Sequence, residues 1–74
     1  MKWKLRQYIK THKTSVYALA RNMDGKVRTN ETMLYRISDG KETQIETYNL
    51  QRILTGLEKL GLKPSILDII QEDK

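Results

Sequence analysis

Glu31, Thr32, Tyr35 and Arg36 fall within six residues, and each is a type that meets nucleic acid. The Arg36 guanidinium can hold a guanine edge through two parallel hydrogen bonds. Thr32 can touch a thymine methyl or a phosphate, and Tyr35 can pack on the sugar–phosphate wall. Glu31 has two open roles: it can accept from cytosine, or sit at the positive end of a helix dipole. On a helix, positions i, i+1, i+4 and i+5 share one face. A second set of groups around this face suits the nucleic-acid backbone: Ser15, Lys26, Arg28, Asn30, Lys41, Thr43, Gln44 and Thr47. Cations, hydroxyls, amides and helix N-termini all bind phosphate oxygens. Any one of them can equally be an ordinary surface residue.

Charge favours a polyanionic partner. Residues 1–28 carry eight Lys and Arg against Asp24 alone, while residues 29–74 are slightly acidic, for a net charge of +5. A cationic half on a small domain is the electrostatic footprint of nucleic-acid binding, although lysines also serve solubility.

The residues needed for other chemistry are missing or scattered. There is no cysteine, so neither a disulfide nor a thiolate metal site can form. His12 is the single histidine and has no carboxylates at ligand spacing around it. Ser15, Ser38 and Ser65 stand at helix boundaries, where capping explains them better than nucleophilic attack. The four glycines are too dispersed to form a phosphate-cradling loop. We therefore expect no enzyme, no cofactor and no metal. The "MKWK" start is basic but no apolar run follows it, and nothing approaches the roughly 20 apolar residues of a membrane span. A cytoplasmic protein without a membrane partner is expected.

At 74 residues the chain makes one domain, residues 1–74, close to the smallest size that holds a core by apolar packing alone. Apolar residues recur at three and four, so five short helices are expected. The first, about 2–11, buries Leu5, Tyr8 and Ile9. The second, about 16–23, is capped by Ser15 or Thr14 and aligns Val16, Leu19, Ala20 and Met23 at i, i+3, i+4 and i+7. The third, about 30–38, starts at Asn30 as its cap, turns Leu34 and Ile37 inward, and ends at Gly40. The fourth, about 47–60, carries the stripe Leu50, Ile53, Leu54, Leu57 and Leu60. The last, about 65–71, opens with the cap-and-acid pattern "SILD". Its Ile66, Leu67, Ile69 and Ile70 surround too short a helix to be buried together, and are expected to form a dimer or partner surface.

Small Ala20 lets the second and third helices cross closely, since packed axes lie about 8–10 Å apart. The outer face of the third helix is then bare, and a B-DNA major groove, about 12 Å wide, admits such a helix. "MDGKVRTN" between the two helices is long for a turn. Its Asp24-Gly25 pair makes the bend, Val27 dips to the core, and Lys26 and Arg28 face outward.

The segments "SVYALA", "TMLYRISDGK" and "LQRILTGLEKLG", in this order, resemble the Cro/repressor-type (XRE-like) helix-turn-helix family of bacteria and phages. The resemblance covers about residues 3–61. It implies an all-α, compact five-helix domain of the phage-repressor (lambda repressor-like) type, a homodimer that binds double-stranded operator DNA and represses transcription, encoded by a bacterium or phage. Two features depart from the family pattern. The stretch from Ala20 to Tyr35 is about four residues longer than its short turn allows. Ser38 also occupies the position where many members carry a glutamate that pairs with a first-helix arginine, here Arg6. A protein-interaction module of antitoxin or anti-repressor type, using the same fold to grip another protein, is the alternative.

Overall fold

The computed structural model describes residues 2–42 and 44–72. In chain order the elements are β1 (Lys2–Trp3), α1 (Leu5–Thr11), α2 (Val16–Arg21), α3 (Val27–Ser38), α4 (Thr47–Lys59), α5 (Ile66–Ile69) and β2 (Ile70–Gln71). The helical class and the five helices agree with the sequence reading; their ends differ at three places.

The first difference is at the chain ends. Residues 2 and 3 are extended, and β1 pairs antiparallel with β2, Trp3 opposite Ile70 and Lys2 opposite Gln71. The Lys4 N–H extends this ribbon by donating to the Ile69 carbonyl at 2.6 Å. Helix α5 therefore stops after four residues, where Ile70 turns into extended backbone at φ −130° and ψ 133°. The Ser65–Asp68 capping box expected at its start is present. With α5 packed against α1 and the C-terminal strand paired to β1, Ile69 and Ile70 are 0% and 2% exposed. They are core residues, and their expected place on a dimer surface is corrected. Ile66 and Leu67 remain 52% and 61% exposed.

The second difference is the start of α3. The helix begins at Val27, and Lys26, in extended backbone, takes the cap position without a capping side chain. The long segment after Ala20 is thus a five-residue connection, Asn22–Lys26, followed by an additional turn of helix. Gly25 turns the connection at φ 96°, a conformation that costs a residue with a Cβ but not glycine. Val27 packs half-buried against the core, as its apolar side chain requires.

The third difference is the end of α2, which stops at Arg21 rather than at residue 23. Asn22 closes it, with its side-chain amide donating to the Ala18 carbonyl at 2.8 Å. Ser15 caps the other end, its hydroxyl accepting from the Ala18 N–H at 3.0 Å.

The core joins Leu5 and Ile9 of α1, Leu19 and Ala20 of α2, Leu34 and Ile37 of α3, Ile53 and Leu57 of α4, and Ile69 and Ile70. Each fully buried Leu or Ile contributes roughly 1.5–3 kcal/mol by leaving water, and these stripes set how the helices cross. Helix α4 meets α2 where it has no side chain. A Cβ on Gly56 would lie 2.8 Å from both Leu19 Cδ1 and Met23 Cγ. In α1 and its cap, Tyr8 packs its ring 4.1 Å from that of His12. Burial, and secondarily the Asp68 carboxylate, push the Tyr8 phenol above its ordinary range.

Candidate nucleic-acid interface

Helix α3 runs for twelve residues, and its inner side is fixed by three buried residues, Asn30, Leu34 and Ile37. With that side in the core, helical geometry turns Arg28, Thr32 and Arg36 outward as a straight ridge, i, i+4 and i+8, about 12 Å long. All three are exposed. Among the described residues none of Lys26, Arg28 or Arg36 is held by an acidic or hydrogen-bonding side chain. Tyr35 is 50% exposed beside this ridge, and Glu31 is half-buried one turn before it. The four base-reading candidates, Glu31, Thr32, Tyr35 and Arg36, therefore share the outer half of one helix.

The Thr32 hydroxyl is already used as a donor. It donates to the Arg28 carbonyl at 3.1 Å, so the methyl and the oxygen's acceptor capacity are the parts of Thr32 left for a partner. Lys26 and Arg28 flank the first turn of α3, whose leading N–H groups have no capping side chain. Cations at this end oppose the helix dipole by a few tenths of a kcal/mol each. Their placement gains nothing for the helix itself.

Asn30 is the residue that sequence reasoning misplaced. It neither caps α3 nor offers itself to phosphate, being 1% exposed inside the helix. Its side-chain amide donates to the carbonyls of Ala20, at 3.2 Å, and Asp24, at 3.1 Å. Its Oδ1 accepts from Arg52 Nη2 of α4, which also donates to the Asp24 carbonyl at 2.6 Å. The Arg52 guanidinium lies 5.5 Å over the Tyr48 ring. One polar latch thus ties the end of α2, the bend, α3 and α4 together. It fixes the direction in which α3 leaves the turn.

The remaining backbone candidates lie at the edges. Ser15 is exposed; its hydroxyl oxygen accepts from the Ala18 N–H as the α2 cap, which leaves its O–H as a donor. Lys41 is exposed just beyond α3, where its N–H and that of Glu42 both donate to the Arg36 carbonyl, at 2.9 and 3.1 Å. Gln44 and Thr47 are exposed in the connection to α4 and at its first residue. The Gln44 carbonyl accepts from Trp3 Nε1 at 3.2 Å, and its N–H donates to a Glu42 carboxylate oxygen at 3.2 Å, which anchors this loop. Thr43 lies outside the described residues.

Three further residues that sequence reasoning did not single out stand beside the candidate residues. Thr29, Met33 and Glu42 line a groove of about 530 Å³ along one flank of α3, together with Arg28, Thr32 and Arg36. Once the helix is known to start at Val27, the signal is visible: 29, 32, 33 and 36 are spaced i, i+3, i+4 and i+7. At Ser38, where the family resemblance would place a glutamate, the hydroxyl is buried and finds no partner among the described residues, while Arg6 is exposed.

Among the described residues no group of His, Cys, Asp and Glu is arranged to hold a metal ion, and no helix is long and apolar enough to cross a membrane. Comparison of the chain with family models, with curated proteins and with solved structures finds no match.

Proposed function

We propose that this chain is a sequence-specific double-stranded DNA-binding regulator of helix-turn-helix type that places α3 in the major groove and represses transcription by occupying its site. The observation that carries the reading is the outer ridge of α3. Two guanidiniums, on Arg28 and Arg36, without a side-chain partner among the described residues, stand exposed on a helix whose opposite side is locked by Leu34, Ile37 and the Asn30 latch. A helix presented this way meets a groove as a rigid body, so no backbone ordering is required on binding. Arg36, Thr32, Tyr35 and Glu31 read base edges in this arrangement; Lys26, Arg28, Lys41, Gln44 and Thr47 meet the backbone. Ile66 and Leu67 supply an apolar contact between two copies, which sets two α3 helices about 34 Å apart on successive turns of the duplex.

Titration of labelled duplexes at several salt concentrations tests this. Binding should weaken steeply as salt rises, because each phosphate contact releases counterions, and one sequence should be bound far more tightly than random DNA. A chain that ignores duplex DNA at low salt but holds a protein partner tightly would instead be an interaction module of antitoxin or anti-repressor type.

A further inference from the structure

The groove beside α3 is built differently from the arginine ridge that borders it. Its floor is Met33, half-buried against the core. Exposed Thr32 lines it as well, and with the hydroxyl tied back to the Arg28 carbonyl its methyl is the apolar surface it brings. Arg28 and Arg36 stand two helical turns apart along it, and Glu42 closes it from the loop, with its carboxylate held by the Gln44 N–H at 3.2 Å. The Glu42 carboxylate repels phosphate at the Arg36 end of the groove, so that end is unsuited to the backbone, which Arg28 meets at the other end. An apolar floor, a hydrogen-bond acceptor and flanking guanidiniums match a base edge instead. In the major groove an apolar surface recognises a pyrimidine 5-methyl group, a carboxylate accepts from an exocyclic amine, and arginine takes guanine.

We propose that this groove receives the 5-methyl group of a pyrimidine, thymine or 5-methylcytosine, that neighbours a guanine held by Arg36. Thr32 and Met33 are then determinants of specificity, through shape rather than charge. The proposal rests on the DNA-binding reading and names what that site reads.

The test uses the intact chain and a preferred duplex selected from random sequence. Each thymine of that duplex is replaced in turn by deoxyuridine, and each cytosine by 5-methyl-deoxycytidine, and affinity is measured by anisotropy. At one or two positions per half-site, deleting the thymine methyl should weaken binding about fourfold, the value of one methyl-sized group leaving water. If the methyl belongs to 5-methylcytosine, adding it to cytosine should strengthen binding by the same factor, and the two arms tell the sources apart. Thr32→Ser keeps the hydroxyl that bonds Arg28 and removes only the methyl, so it should bring the ratio toward one while leaving the melting temperature unchanged. Equal affinity for every methylated and unmethylated pair overturns the proposal and leaves DNA binding standing. A methyl effect that persists undiminished in Thr32→Ser overturns it as well. Failure to select any preferred duplex overturns both readings.

Discussion

Asn30→Ala should cost more stability than any other polar truncation among the described residues. The side chain is 1% exposed and makes three hydrogen bonds, two donated to backbone carbonyls and one accepted from Arg52. Neutral bonds of this kind contribute about 1 kcal/mol each, and one to a charged group about 1.5–3. Part of that sum is recovered in the variant. Arg52 keeps the Asp24 carbonyl at 2.6 Å, and the Ala20 carbonyl keeps the Met23 N–H at 3.3 Å, so neither acceptor is stranded. A net loss of about 2–3 kcal/mol follows. At roughly 0.05–0.15 kcal/mol per residue this domain holds only about 4–11 kcal/mol in total. The melting temperature should fall by roughly 10–20 °C, given about 4–8 °C per kcal/mol at this size. Urea and thermal melts followed by circular dichroism measure it. Arg52→Met should lose less, since the guanidinium is only half-buried. The double variant should show a coupling of about 1 kcal/mol or more, because the two residues share one network. An Asn30→Ala protein within about 0.5 kcal/mol of wild type, the range of ordinary surface changes, would refute the latch.

Arg36→Ala should lose about 1–3 kcal/mol on the preferred duplex and relax choice at one base pair, with affinity for random DNA nearly unchanged; competition titrations read both. Replacing Lys26 and Arg28 together by alanine should make the slope of log affinity against log salt shallower by up to about 1.8 per subunit, with similar losses on specific and random duplexes. The fold of that variant should be intact, as both side chains are exposed. Ile70→Asp places a charge at a position 2% exposed and should unfold the chain, whereas Ile66→Asp and Leu67→Asp should keep helix content and lower only the sedimentation mass. A folded, monomeric Ile70→Asp protein would return Ile70 to the surface.

What the sequence discloses is what repeats along it. The stripes Leu19–Ala20, Leu34–Ile37 and Ile53–Leu57 are visible because burial imposes the helical period, and all six residues are buried. Ser15 and the Ser65–Asp68 box are visible because caps act within three or four residues. Pairings between distant parts of the chain leave no such mark. Asn30 has the residue type of a cap, and only its proximity to Arg52, 22 positions later, makes it a core latch. Val27, Thr29 and Asn30 are weak helix formers, yet "VRTN" is helical because Val27 packs on the core and Asn30 is held. A two-residue strand has no periodicity to detect, so the Trp3–Ile70 pairing, and with it the burial of Ile69 and Ile70, shows only in three dimensions. The same holds for Gly56, whose missing side chain matters because α2 lies against it. The outer face of α3 was legible as a set of residues; its flanking groove required the true start of the helix.

Selection of bound sequences from a pool of random duplex DNA tests the central claim most directly. If α3 reads the major groove, a short motif should be enriched within a few rounds. With two copies on the DNA the motif should be a pair of inverted half-sites whose centres are about 34 Å, one duplex turn, apart. Arg36→Ala should blur one position of that motif and Asn30→Ala should weaken all of it. A pool that stays random, with retention that does not depend on salt, would contradict DNA recognition by this chain.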